Sequence, residues 1–233
     1  MELRIQGLSK SYGSQVALRD VTLELMPGTV ALLGPNGSGK TTLLRCLASL
    51  LKPDNGGLWF NGLPYTQNFP WLRGQLGYVP QDLDLPASLT PRRLMEYLGT
   101  LKNIPDAGQV DQILSALGLQ QVADLPFSSL SGGQIRLTGI AQAFLGRPSL
   151  LLLDELTRGL DLEEREHVFA LARKPLPGRL ILFSTHEPSD VERLADQAIV
   201  LHQGRVIFSG IVDDLISIQG AIFTARLKSY NHR

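Results

Sequence analysis

The sequence predicts an α/β fold built on a mostly parallel sheet, and three observations carry that prediction. Short buried-type runs at residues 29–33, 150–153 and 180–184 have the composition of central strands covered on both faces. Helical patterns at residues 163–172 and 189–195 alternate with the later runs, in the rhythm of crossover connections. From about residue 82 to residue 147 the apolar residues fall at helical spacing and no strand pattern occurs, which marks a helical lobe set into the sheet-forming chain.

The 233 residues suffice for one large core, or a core with a smaller lobe, without staples. No long repeat, low-complexity tract or charge block interrupts the chain, so it reads as one folded unit. The 22 basic and 22 acidic side chains cancel, leaving no electrostatic footprint for nucleic-acid backbones or anionic membranes, and no nucleic-acid partner is expected. Cys46 is the only cysteine, which excludes an internal disulfide or a cysteine metal cluster and fits a reducing cytosol; it reads as a small buried hydrophobe. The first six residues alternate like a strand and lack the layout of a secretory signal. The apolar runs at 150–153 and 180–183 are far shorter than the roughly 20 residues that cross a bilayer. A cytoplasmic location is therefore expected, and any membrane role has to come through a partner.

Along the chain, residues 2–63 read as strands and turns with one helix, Val21, Leu23 and Leu25 alternating within a strand. A glycine-rich turn follows the run at 29–33, then a helix from Lys40 to about Leu51, stopped by Pro53. Residues 57–62 read as a short strand ending in an Asn-Gly turn. In the helical lobe, Thr90 caps a helix with Pro91 in its first turn and Leu94, Leu98 and Leu101 on one face. Val110, Ile113, Leu114 and Leu117 stripe a second helix ended by Gly118; Ser131 opens a third, with Leu137, Ile140, Ala141 and Phe144 inward. Residues 198–201 and 206–209, joined by a turn at Gln203-Gly204, suggest a hairpin at the sheet edge. Residues 221–233 carry no readable pattern.

Gly34-Pro35-Asn36-Gly37-Ser38-Gly39-Lys40-Thr41 fits the pattern of a phosphate-binding loop, glycine and four residues before Gly-Lys-Thr, and lies as it should between a buried strand and a helix. Glycines let successive backbone N–H groups curl round phosphates, which the positive end of the helix through Thr42 also attracts. Lys40 is expected to reach the β- and γ-phosphates of ATP, and the Thr41 hydroxyl is a candidate ligand for Mg2+, which prefers hard oxygen donors. At residues 150–155, four leucines end in Asp154-Glu155, at the edge where open parallel sheets hold their ligands. By itself such a pair is an ordinary strand end. Behind a phosphate loop, Asp154 becomes a magnesium ligand through water, and Glu155 a base or orienting group for the attacking water.

Leu130-Ser131-Gly132-Gly133-Gln134 alone reads as a helix cap. With the two motifs above, it makes residues 2 to about 210 resemble the nucleotide-binding subunit of ATP-binding cassette proteins. Residues 85–104, with Leu89-Thr90-Pro91 and Tyr97 through Lys102-Asn103-Ile104, and residues 184–187 running on to 200–205 look like cassettes of the exporter class with a separate permease. The resemblance implies a P-loop NTPase core with a mostly parallel sheet, an N-terminal antiparallel β subdomain and an α-helical subdomain. It implies one ATPase domain over residues 1–233, with the sheet lobe at about 1–81 and 148–220 and the helical lobe at about 82–147. In the family two cassettes pack head to tail, and Ser131, Gly132, Gly133 and Gln134 would contact the ATP on the partner's phosphate loop. A serine hydroxyl and free N–H groups at a helix start suit a second anion site.

Further positions follow from the resemblance. Tyr12 matches the aromatic residue that stacks on adenine, although a half-buried strand tyrosine is the plainer reading. Gln81 matches the glutamine loop, where it would touch magnesium and water; on residues alone it is a polar loop position. Asp161 matches a residue that crosses to the partner's site, and it is also placed as a helix cap. His186, after a buried run, matches the switch histidine at the γ-phosphate; His167, His202 and His232 have no metal-ligand spacing and read as structural or exposed. The sequence departs from the family in two places. Arg136 and Leu137 stand where the family has a Gln-Arg pair, and Leu156 stands where a proline often follows the two carboxylates. Neither departure is expected to touch an ATP-contacting residue, so hydrolysis is expected to be retained. The expected function is ATP hydrolysis on the cytoplasmic face of the cell membrane. It would power export of a drug, peptide, lipid or polysaccharide through a polytopic permease, the second cassette being a copy or a paralogue. A soluble cassette serving assembly, such as iron–sulfur assembly, is the alternative. Intact Lys40, Glu155, His186 and signature argue against a subunit that binds ATP without turnover.

Overall fold

The computed structural model describes residues 2–66, 69–104, 106 and 108–219; His232 and the unread residues 221–233 lie outside them. In chain order the strands are β1 (Leu3–Tyr12), β2 (Gln15–Leu25), β3 (Gly28–Leu33), β4 (Asn55–Phe60), β5 (Leu63–Pro64), β6 (Leu76–Val79), β7 (Leu150–Leu153), β8 (Leu180–Ser184), β9 (Gln197–His202) and β10 (Arg205–Ile211). The helices are α1 (Lys40–Leu47), α2 (Phe69–Gln75), α3 (Pro91–Leu101), α4 (Gly108–Ala116), α5 (Gly132–Phe144), α6 (Leu162–Ala172), α7 (Pro188–Leu194) and α8 (Val212–Gln219).

Two sheets result. β2, β1, β4 and β5 form an antiparallel sheet in that order, and β10-β9-β3-β8-β7-β6 forms a second sheet that is parallel except for its edge strand β10. The N-terminal strand-and-turn segment is thus the antiparallel sheet, and the alternating segment after residue 149 supplies most of the parallel one. The period of two along a strand divides the interior into two cores. Leu150 and Leu152 of β7 join Val30, Leu32, Leu180 and Leu182 against α1 and the antiparallel sheet. Leu151 and Leu153 join Ala31, Ile181 and Phe183 against α5 and α6. A strand buried on both faces needs apolar residues at successive positions, which is why these runs do not alternate.

α1 is shorter than the sequence pattern indicates, ending at Leu47 instead of about Leu51. Ser49 turns left-handed (φ 58°), its N–H donates to Cys46 O at 3.0 Å, and Leu50 N–H donates to Arg45 O at 2.9 Å. That pair of bonds closes the helix as a Schellman motif before Pro53 is reached. The first strand after it runs over Asn55–Phe60, two residues earlier than expected, and Asn61-Gly62 forms the turn into β5. In α3 the inward positions are Pro91, Met95 and Gly99, spaced by four; Leu101, expected on the inner face, is exposed. Thr90 caps that helix, accepting from Arg93 N–H at 3.3 Å. The stripe of α4, the inward face of α5 and the β9–β10 hairpin stand as expected.

The sequence pattern did not reveal α2 or β6. Glycine at the centre of β6 weakens its strand signal, and the fold explains it: a Cβ on Gly77 would stand 1.9 Å from the Ala143 carbonyl oxygen of α5. Gly77 lets the helical lobe's longest helix lie directly on the sheet edge. At the centre, β3 pairs with β8 on one side and β9 on the other. The chain leaves β3 and re-enters the sheet at the far strand β6, so a crevice opens at the carboxyl ends of β3, β7 and β8.

Candidate active site

Residues 34–39 lie at that crevice, between β3 and α1. Gly34 (φ 143°) cannot carry a side chain, since its Cβ would stand 2.1 Å from the Leu201 carbonyl oxygen of β9. Gly39 (φ 108°) is enclosed in the same way, 2.5 Å from the Ala17 carbonyl oxygen of β2. The two ends of the loop are pinned against neighbouring strands, while Asn36 and Gly37 between them are exposed. Gly39 is the N-cap of α1 and has no side chain to cap it, so the first N–H groups of the helix, from Lys40 to Thr42, are left for an anion.

Lys40 is buried, and its Nζ donates to the carbonyl oxygens of Gly34 (2.7 Å) and Pro35 (3.2 Å). Burial lowers its pKa, while the carboxylates of Asp154 and Glu155 act to raise it. The Lys40 ammonium thus lies within electrostatic reach of the carboxylate pair. Asp154 is buried; its Oδ1 accepts from Ser184 Oγ at 2.7 Å, and its Oδ2, like Ser38 Oγ in the loop, has no protein partner. Buried polar oxygens without partners are rare enough to require a ligand or water. Both are hard oxygen donors of the kind magnesium takes.

Glu155 adopts a left-handed backbone (φ 51°), uncommon for a residue with a side chain. Its N–H donates to Ser184 Oγ at 2.7 Å. Its carboxylate lies 3.4 Å from His186 Nε2 and 3.3 Å from Arg158 Nη1. Burial holds the His186 pKa below the ordinary 6.5, with Lys40 adding to the effect and Glu155 opposing it. His186 is thus neutral near pH 7 and positioned to donate or accept one hydrogen bond beside Glu155. Because the shift is downward, the folded site favours the neutral ring, and lowering the pH through 6.5 and then the depressed value charges it. ATPase activity should accordingly fall on an acid limb centred below 6.5, which a pH–rate profile of the wild type measures, and His186→Ala should remove that limb along with most of the activity.

The sequence pattern does not mark Ser184, the last residue of the run at 180–184, as part of the site, yet it holds both carboxylate residues. The available signal was a hydroxyl ending an otherwise apolar run; register places it beside Asp154, because Leu153 pairs with Phe183. Ser184→Ala would leave Asp154 Oδ1 buried without a partner and should cost about 1–3 kcal/mol of stability, read by urea unfolding. Asp190, also missed, is buried; its Oδ2 accepts from Thr157 Oγ1 (2.5 Å) and Thr185 Oγ1 (2.6 Å), tying the loop after Glu155 to the loop before His186.

The expectation that neither departure touches an ATP-contacting position is overturned for Arg136. Its guanidinium donates to the carbonyl oxygens of Gln81, Asp154 and Glu155, as well as that of Pro80. Spacing along α5 could not show this, since the partners are 18–56 residues away in the chain. Leu156 is buried in the core.

The remaining candidates sit away from Lys40. Ser131 caps α5 in a capping box: its Oγ accepts from Gln134 N–H (3.1 Å), and its N–H donates to Gln134 Oε1 (3.0 Å). Gln134 thereby supports the serine, while Ser131 and Gly132 are exposed. Asp161 caps α6 in the same manner with Glu164, and Gly133 packs against the Glu164 carboxylate, which joins the two capped turns. Both readings of Asp161 thus remain compatible: it is a cap, and it is exposed. Tyr12 at the end of β1 is 47 % exposed, so the reading of a half-buried strand tyrosine stands, with about half of the residue open to a ligand.

A doubly pinned glycine loop facing a carboxylate pair at a parallel-sheet crevice, with a capped helix in a separate lobe, defines a P-loop ATPase. The chain belongs to the ABC transporter family, whose model matches residues 18–158. It is 36% identical over 220 residues to Nod factor export ATP-binding protein I of Cupriavidus metallidurans, covering 92% of this chain and 72% of that one. It is 35% identical over 201 residues to the molybdenum import ATP-binding protein ModC of Aromatoleum aromaticum, covering 82% of this chain and 52% of that one. A solved dimeric ATP-binding cassette in a post-hydrolysis state, bound to ADP and Pi, superposes with TM-score 0.82 at 25% identity, covering 90% of this chain and 98% of that one. The chain is an ATP-binding subunit of an ABC transport system and an ATPase that uses ATP with Mg2+. Such subunits form cassette dimers and partner with membrane permeases. Among the described residues no helix is long and apolar enough to cross a membrane.

Proposed function

We propose that this chain is the energising subunit of an exporter whose permease is a separate polypeptide, acting from the cytoplasmic face of the membrane. The observation that carries the reading is the exposed apolar surface of α3, Tyr97 and Leu101, beside a groove of about 340 Å³ lined by Gly74, Lys102, Asn103, Ile104 and Gly146. Large apolar side chains left in water on a lobe that follows the glutamine loop suit a docking helix of a membrane partner. The likeness to a Nod factor export ATP-binding protein fits the outward direction, while that to a molybdenum import ATP-binding protein fits the inward one, so the transport assay decides.

In this reading residues 1–233 form one cassette, with lobes at about 1–81 with 148–220 and about 82–147. Tyr12 stacks on adenine, and residues 34–42 with Lys40 hold the phosphates. Thr41, Gln81 and Asp154 would hold magnesium, which would neutralise charge on the phosphate oxygens. Glu155 orients the attacking water and accepts its proton, and His186 steadies the γ-phosphate. Ser131, Gly132 and Gly133, with Gln134 supporting the cap, and Asp161 act across the dimer on the partner's nucleotide. Tagged chain recovered from membranes should bring a polytopic protein with it, and inside-out vesicles holding the pair should accumulate substrate with ATP. Recovery only with soluble proteins would favour an assembly role, and loss of substrate from loaded inside-out vesicles would reverse the direction.

A further inference from the structure

We infer that Arg136 is a positioning residue for this hydrolysis, a strut that sets the backbone of Glu155 and fastens it to the glutamine loop. The inference rests on the proposed role of Glu155. Arg136 lies in the second turn of α5 and is 6% exposed. Its Nη1 donates to the carbonyl oxygens of Pro80 (2.6 Å) and Gln81 (3.2 Å); its Nη2 donates to those of Asp154 (2.5 Å) and Glu155 (2.7 Å). Each terminal nitrogen serves a different segment with both its hydrogens. The buried charge finds no carboxylate partner among these bonds, but the nearby carboxylates of Asp154 and Glu155 favour it against the cost of burial.

The residue type matters. A glutamine, which the family pattern places here, has one amide nitrogen with two hydrogens and could serve at most two of the four carbonyls. A lysine gathers three donors on one point and lacks the planar fork. Arginine serves all four carbonyls with both segments at once, so this chain has a fuller link than the usual glutamine can make. Glu155 needs such support, because its left-handed backbone is held through its N–H by Ser184 Oγ and through its carbonyl by Arg136 Nη2. The same helix begins at Ser131, so one rigid element runs from the signature turn to the backbone of the glutamine loop and of Glu155. A shift of the helical lobe reaches Gln81 and Glu155 together.

The test uses the full chain with Arg136→Gln and Arg136→Lys. No guanidinium bond reaches the phosphate loop, so the affinity for ATP measured without magnesium should stay within about twofold, while kcat with MgATP, which needs Gln81, Asp154 and Glu155 in place, falls at least about tenfold, the lysine variant lying between. Amide hydrogen exchange at Glu155 and Leu156, whose N–H groups donate to Ser184, should speed up in both variants, with or without turnover. A folded Arg136→Gln chain with wild-type kcat and wild-type exchange at these amides overturns the proposal. So does an equal loss of affinity and kcat, which marks general loosening. If Arg136→Gln does not fold, the lysine variant decides on the same two readouts. If the wild type itself hydrolyses no ATP, the proposed function fails, and exchange alone decides the strut: unchanged protection overturns it.

Discussion

Glu155→Gln should reduce turnover by about 10²–10⁴-fold, the range that a positioned general base contributes, while leaving nucleotide binding intact. The amide has the same shape and can still hydrogen-bond His186, which lies 3.4 Å from the carboxylate. The backbone contacts that fix the residue, from Ser184 and Arg136, do not involve the side chain. What is lost is the capacity to take a proton from water and the negative charge itself. Losing that charge beside a triphosphate removes a repulsion, so affinity for MgATP should hold or rise. Phosphate release measured beside equilibrium nucleotide binding separates the two effects. A variant that loses both in parallel would show that Glu155 acts through the fold.

Lys40→Met should act on the other side of the ledger, weakening MgATP binding by about 10–150-fold, the equivalent of about 1.5–3 kcal/mol for a hydrogen bond to a charged group. The ammonium bonds two loop carbonyls, Gly34 at 2.7 Å and Pro35 at 3.2 Å. Removing it forfeits those bonds and also removes the cost of burying a charge, which its lowered pKa records. These opposing terms should leave the stability of the nucleotide-free chain little changed while binding collapses. Calorimetric titration with MgATP and urea unfolding in its absence check the two halves separately.

How much of this was legible in the sequence follows from distance along the chain. The phosphate loop, the leucine run ending in Asp154-Glu155 and the capping box at Ser131 are local patterns, and each lies where its pattern predicts. The all-leucine composition of β7 reported that it is covered on both faces. The supports of the site were not legible. Ser184 meets Asp154 across 30 residues, Thr157 meets Asp190 across 33, and Arg136 meets Pro80 across 56. None of these contacts leaves a spacing signal. β6 was hidden by a glycine chosen for its contact with Ala143, and α1 ended early through a left-handed serine that no propensity rule singles out. Leu101 was assigned inward on helical spacing, but burial follows the stripe through Pro91, Met95 and Gly99. That rotation leaves Leu101 and Tyr97 on the surface proposed for the permease.

The central claim is that each nucleotide is held between the phosphate loop of one cassette and the signature turn of another. Light scattering on Glu155→Gln with and without MgATP tests it, alongside the double variant Glu155→Gln, Ser131→Arg. The account predicts that MgATP doubles the mass of the first and leaves the second a monomer that still binds nucleotide, because Ser131 acts only on the partner's ATP. A double variant that dimerises with MgATP as readily as Glu155→Gln alone would contradict it.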